Sequence, residues 1–193
     1  MTPSSPRLTD ALEYARASHG AQTRKGTEIP YISHLMSVSA LVMENGGDED
    51  QAIAGLLHDV LEDCGAEHEP VIRERFGDRV ATIVADLTDG VPDADGRKEP
   101  WRLRKERFLA RHETMSADSL LVSLCDKLHN ARTIGADLRA GHDVFARFGR
   151  EVGKQGVVWY YGELVRIFRA RLGSDDPLFR EFERAVGEIY ELA

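Results

Sequence analysis

Between Gln51 and Asp63 the apolar residues Ile53, Leu56, Leu57, Val60 and Leu61 recur at a spacing that an α-helix gathers onto one side, because successive helical side chains rotate by about 100°. If the segment is one helix, His58, Asp59, Glu62 and Asp63 fall within roughly 140° of one another on the other side. A neutral imidazole beside a carboxylate can hold one divalent ion, and carboxylates a turn further on can reach a water next to it. The plain alternative is the solvated face of an amphipathic helix, which is charged for no further reason.

The rest of the chain is also helical in its periodicity. Leu8 to Ser18 opens on a Thr9 or Asp10 cap, Tyr31 to Asn45 stops at Gly46-Gly47, and Asp48 or Asp50 caps the helix that carries His58. Pro70 to Phe76 and Asp78 to Thr88 follow, separated by Gly77. Val91 to Pro100, with two prolines, a glycine and many charges, reads as an exposed loop. Five more helices are expected at Trp101 to Glu113, Ser116 to Gly135, Asp143 to Lys154, Val157 to Leu172 and Pro177 to Leu192. No alternating pattern or hairpin signal calls for a sheet. The expectation is an all-α protein, a single helical domain over residues 1–193 with about ten helices and a frayed start over residues 1–7.

A chain of 193 residues buries a core without disulfides, and its two cysteines, Cys64 and Cys125, lack CxxC spacing. Cys125 lies in an apolar run and reads as core. A net charge of −8 disfavours nucleic acid and anionic membrane as partners, while a local basic pocket for a small phosphorylated ligand remains compatible with it. No apolar run has the length of a membrane span, and Met1 to Pro6 lacks the apolar core of a secretory signal, so a cytoplasmic protein is expected.

A second apolar run, Leu120 to Cys125, delivers Asp126 to its end, with Asn130 and Thr133 at i+4 and i+7 on the same helical face. Asp126 is either a distant metal ligand or a surface carboxylate paired with Lys127 or Arg132. His34, early in the helix that follows Pro30, is the remaining ligand candidate, against a structural histidine as the alternative.

His34, then His58-Asp59, then Asp126 resembles the H…HD…D signature of HD-superfamily metal-dependent phosphohydrolases. His58-Asp59-Val60-Leu61-Glu62-Asp63 is similar to the HDxxED variant of the hydrolase domains of bifunctional Rel/Spo enzymes and of stand-alone small alarmone hydrolases. Arg24-Lys25-Gly26, Pro30-Tyr31-Ile32-Ser33-His34, Phe76-Gly77 and Asp126 to Arg132 resemble further blocks of that family in the same order, over about residues 8 to 170. Pro100-Trp101-Arg102 and Trp159-Tyr160-Tyr161 look like a bacterial small-hydrolase subgroup. The sequence has no synthetase-like or regulatory region after these blocks, so a degradative enzyme of the stringent response is the expectation.

The resemblance implies an HD-domain helical bundle in which His34, His58, Asp59 and Asp126 hold a divalent ion. Mn²⁺ is favoured, and other divalent transition metals are compatible with mixed nitrogen and oxygen ligands. Glu62 and Asp63 would be the acid/base pair that orients water and moves protons. The substrate would be ppGpp or pppGpp, cleaved at the 3′-pyrophosphate to give GDP or GTP. Its contacts would come from Arg24 and Lys25 in a nucleotide-facing loop, from Asn130 and Thr133, and from Lys154 and Tyr160 on the far side. For each of these a structural role is the alternative: an exposed basic turn, helix-face hydrogen bonding, or an aromatic core. Two departures bear on the substrate. Leu35 stands where the family usually has proline after the histidine, and basic density ahead of Trp101 is low, since Arg97-Lys98 is followed at once by Glu99. Alternatives are therefore an HD hydrolase of (p)ppApp, a dNTP or NADPH, and a nucleotide-binding antitoxin-like module. A monomer and a homodimer are both compatible with the apolar C-terminal helices.

Overall fold

The structure is a computed structural model and describes residues 5–91, 97–149 and 151–193. Among the described residues there are ten α-helices, one 3-10 helix and no strand, apart from an isolated bridge between Thr23 and Pro30. The all-α expectation holds. The chain divides into two compact units: Met1–Glu99 with Met115–Ser123, and Pro100–Thr114 with Leu124–Ala193.

The first unit contains α1 (Pro6–His19), α2 (Ile32–Glu44), α3 (Glu49–Leu57), α4 (Val60–Asp63), α5 (His68–Phe76) and α6 (Asp78–Leu87). Helix α1 starts earlier than its periodicity suggests. Ser5, not Thr9 or Asp10, is its cap, accepting from the Arg7 amide at 3.1 Å, and Pro6 opens the first turn, where its missing N–H does no harm. Residues 6 and 7, expected to fray, are thus helical, and residues 1–4 lie outside the described ones. Asp48 caps α3 in a reciprocal capping box with Gln51. Helix α3 packs on α2, α1 and α6, burying Ile53, Leu57, Leu35, Val38 and Val84. The α2–α3 crossing is close because Gly55 has no side chain: a Cβ there would lie 3.1 Å from Ser39 Cα.

The second unit contains α7 (Trp101–His112), a 3-10 helix (Phe145–Phe148), α9 (Gly153–Leu172) and α10 (Pro177–Leu192), with α9 packed on α7 and α10. Phe108, Leu164, Phe168, Phe179 and Phe182 are buried there. Helix α8 (Ala117–Arg139) begins in the first unit and ends in the second, about a turn beyond the expected Gly135 stop.

Two further expectations are corrected. Asp143 to Lys154 is not an α-helix: its described residues form the short 3-10 helix, which ends at Gly149 with φ +79°, and α9 starts only at Gly153. Gln51 to Asp63 is not one helix either, since α3 ends at Leu57 and α4 starts at Val60. The reason is local. The carbonyl of Gly55, which a continuing helix would offer to the Asp59 amide, receives His58 Nδ1 at 2.8 Å, and Asp59 sits at φ −97°, ψ −2°. Of the loop expected at Val91 to Pro100, residues 92–96 lie outside the described residues, and the others have no regular structure.

Candidate metal centre

The break between α3 and α4 aims side chains that a continuous helix would fan apart. A carbonyl can only accept, so His58 Nδ1 carries a proton in its bond to Gly55, and in the neutral ring Nε2 holds the lone pair. That Nε2 lies 3.0 Å from Asp59 Oδ2. His34, on the first turn of α2, brings its own Nε2 to 3.6 Å from the same oxygen. The imidazoles meet edge to face with centroids 5.1 Å apart, and both are buried, at 1% and 2% exposure. An imidazole lone pair and a carboxylate oxygen at 3.0 Å repel each other unless a proton or a metal ion lies between them. The donor set, two nitrogens and a carboxylate with one ring pinned through its other nitrogen, fits a divalent transition metal.

Tyr31 holds the carboxylate from the other side, its hydroxyl donating to Asp59 Oδ2 at 2.6 Å. Burial, and after it the charges of Asp59 and Asp63, push the phenol far above its ordinary range, so it stays a donor. On the short helix α4, Glu62 Oε1 accepts from Lys98 Nζ at 2.9 Å, and the same ammonium is 3.9 Å from Asp63 Oδ1. Burial raises the Asp63 carboxyl above the usual range, with the charge of Asp59 adding to it and Gln22 and Lys98 opposing it. The half-buried Cys64 thiol, next in sequence, is pushed up to about 11 by burial and by those carboxylates, which makes it an inert thiol at neutral pH.

In the other unit Asp126 is buried, and it has the Lys127 partner that the alternative reading named for it. Lys127 Nζ donates to its Oδ2 and Asn130 Nδ2 to its Oδ1, each at 2.6 Å. The expected i+4 relation between Asp126 and Asn130 is thus a direct hydrogen bond.

A family model described as HD domain matches residues 11–154. The chain belongs to the HD-domain family. HD domains bind a divalent metal, and the His34–His58–Asp59 cluster is a His/Asp arrangement of that kind. The chain is 38% identical over 124 residues, 64% of its length, to the guanosine-3′,5′-bis(diphosphate) 3′-pyrophosphohydrolase of Aquifex aeolicus. It is 35% identical over 134 residues, 67% of its length, to the bifunctional (p)ppGpp synthase/hydrolase SpoT of Escherichia coli. These matches take in 17% and 18% of the two relatives, so the chain spans less than a fifth of the length of either. Among solved structures, a metazoan ortholog of SpoT that hydrolyses ppGpp matches with a TM-score of 0.72 at 25% identity, over 99% of this chain and 97% of that one. A Listeria monocytogenes structure matches with a TM-score of 0.67 at 27% identity, over 84% of this chain and 96% of that one.

The residues expected to meet substrate fall in both units. Arg24 lies over the Tyr31 ring, 5.5 Å from its centroid, in a loop whose ends are joined by the Arg24 amide on the Ile29 carbonyl at 2.8 Å; Lys25 is the next residue and exposed. Thr133 Oγ1 donates to the His129 carbonyl at 2.9 Å, so its hydroxyl is used within α8. In the second unit Lys154 donates to the carbonyl of Ala193. Tyr160 is buried beside Trp101, with Lys105 Nζ 5.0 Å from its ring centroid. Arg102 stacks 3.3 Å from the Trp159 centroid and also pairs with Glu106 at 2.7 Å.

Four residues around the acidic groups escape a sequence-only reading: Tyr31, Lys98, Gln22 and His19. Lys98 lies in the segment whose low basic density is read as bearing on the substrate alone. A carboxylate pair at Glu62-Asp63 that needs a counter-charge was the signal that could have found it.

No helix is long and apolar enough to cross a membrane, among the described residues.

Proposed function

We propose that the chain is a metal-dependent hydrolase that removes the 3′-pyrophosphate of ppGpp or pppGpp, releasing pyrophosphate and leaving GDP or GTP, with Mn²⁺ as the working ion. The observation that carries the reading is the convergence of the His34 and His58 Nε2 atoms on Asp59 Oδ2, with the Glu62-Asp63 pair one short helix away and bridged by Lys98. The names of the similar proteins support the substrate.

His34, His58, Asp59 and Asp126 would hold the ion, the last as a buried carboxylate whose plane Asn130 fixes. When bound, such an ion acidifies water and polarises a phosphoryl oxygen. Glu62, oriented by Lys98, is placed to take the proton of the attacking water, and Asp63, whose raised carboxyl retains a proton more readily, is suited to return one to the departing 3′-oxygen. Lys98 keeps the pair from repelling each other. Arg24, stacked on the same tyrosine that holds Asp59, links the nucleotide-facing loop to the metal ligands through one side chain, and Lys25 beside it would meet phosphate charge. Asn130, Thr133, Lys154 and Tyr160 would complete the contacts. This reading takes residues 1–193 as one HD-type unit of function, cytoplasmic, a monomer or homodimer, acting on a small nucleotide rather than on nucleic acid or a membrane.

The test is metal-stripped protein incubated with Mn²⁺ and ppGpp, pppGpp, ppApp, dGTP or NADPH, with products resolved by ion exchange. Mn²⁺-dependent pyrophosphate release from ppGpp and pppGpp is the expected result. Release from ppApp, dGTP or NADPH alone would keep the hydrolase and change its substrate. Nucleotide binding without turnover of any of the five would turn the chain into a binding module.

A further inference from the structure

One buried histidine lies off the metal cluster yet is tied to it. His19, the last residue of α1, is 6% exposed, and its ring stacks on Tyr31 with centroids 5.1 Å apart and planes 20° apart. Its Nδ1 is 2.8 Å from Gln22 Oε1, and Gln22 Nε2 is 2.8 Å from Asp63 Oδ2. With Asp63 ionised its carboxylate only accepts, so the amide end of Gln22 faces Asp63; the remaining Gln22 oxygen only accepts, so His19 Nδ1 carries a proton. His19 Nε2 then holds a lone pair, and among the described residues it has no hydrogen-bond partner although it is buried. Such a tautomer is retained only where the other nitrogen's bond fixes it. The backbone of Gln22 is committed as well: its carbonyl accepts from the Tyr31 amide at 2.9 Å, and Thr23 bridges Pro30, closing the base of the loop that carries Arg24 and Lys25.

We propose that Gln22, oriented by His19, is a positioning residue that fixes the carboxylate plane of Asp63 and ties it to the base of the nucleotide-facing loop. The proposal rests on the reading of Asp63 as a proton-transfer group. Gln22 delivers two donors on one amide, one of them to Asp63 Oδ2, and so leaves Oδ1 on the side of Lys98. A side chain of equal length without the amide keeps the loop's backbone bonds and loses only this orientation.

The experiment compares wild type, Gln22→Met, Gln22→Glu and Asp63→Asn in the full chain with Mn²⁺ and ppGpp. Gln22→Met is expected to lower kcat on the order of 10- to 100-fold with KM and Mn²⁺ stoichiometry unchanged, and Gln22→Glu, which sets two carboxylates face to face, at least as much. Wild-type kcat in either Gln22 variant, alongside a slow Asp63→Asn, overturns the positioning role and leaves Asp63 in place. Wild-type kcat in Asp63→Asn overturns the proton-transfer reading itself. A readout independent of turnover is ¹⁵N–¹H correlation of the imidazole and amide groups. His19 is expected as the Nδ1–H tautomer, and the Gln22 side-chain amide resonances are expected to move in Asp63→Asn. An Nε2–H tautomer, or Gln22 resonances indifferent to Asp63→Asn, sinks the proposal whatever the substrate.

Discussion

The hydroxyl of Tyr31 and Oδ2 of Asp59 are 2.6 Å apart, and that oxygen is the one both imidazoles approach. A neutral phenol donating to a carboxylate orients it without competing for charge, which is the office of an outer-shell partner in a metal site. Tyr31 also stacks on His19 and lies under Arg24, so one ring joins the His34–His58–Asp59 cluster, the His19–Gln22–Asp63 chain and the loop that carries Arg24 and Lys25.

Removing that hydroxyl therefore weakens the ion's hold more than the fold. Tyr31→Phe is expected to lower Mn²⁺ affinity roughly 10- to 100-fold, with little change in melting temperature. Calorimetric titration of the stripped protein measures the first, and a thermal melt the second.

Ligands and acid/base groups separate by what their loss takes away. Asp59→Ala or Asp126→Ala is expected to abolish both metal binding and turnover. Glu62→Gln is expected to keep the metal and lower kcat by about 10²- to 10⁴-fold. Full metal content in an active Asp126→Ala protein would remove Asp126 from the ligand set.

Gly55 sets the spacing of α2 and α3 and offers the carbonyl that pins His58. A methyl group there meets Ser39 backbone atoms at 3.1 and 3.2 Å, which backbone cannot move aside cheaply. Gly55→Ala is expected to destabilise the protein by about 1–3 kcal/mol and to weaken Mn²⁺ binding at the same time, because His34 and His58 ride on the two helices being forced apart. Urea unfolding with a parallel metal titration reads both.

His112 gives the pH dependence of stability a definite sign. Its ring is fully buried, donates from Nδ1 to the Phe108 carbonyl at 2.8 Å, and is pushed by burial from 6.5 down to about 4. The folded imidazole therefore binds its proton less readily than the unfolded one. Its contribution is fully present above pH 6.5, declines as pH falls toward 4, and is gone below that. The span corresponds to about 3 kcal/mol. Denaturant midpoints measured across that range are expected to fall with acid, and His112→Gln is expected to flatten the slope.

The sequence by itself determined the all-α class and most helix positions, because apolar spacing and caps are local signals, and it named His34 and His58, which meet Asp59, but not Tyr31. Asp48, one of the two caps expected for α3, does cap it, and α10 opens at Pro177 as expected. Tertiary structure decided the rest. Periodicity carried α3 through His58 and Asp59, but a side-chain bond from His58 to the Gly55 carbonyl interrupts the helix, and no hydropathy pattern registers a competition for one carbonyl. The expected helix at Asp143 fails at Gly149 for a comparable reason, a positive φ that α-helix does not accommodate. Tyr31 to Asp59, Lys98 to Glu62 and His19 through Gln22 to Asp63 join residues 28, 36 and, across the Gln22 link, 41 positions apart. Contacts of that range are set by how helices pack and where loops return, and one sequence holds the parts for them without showing which will meet.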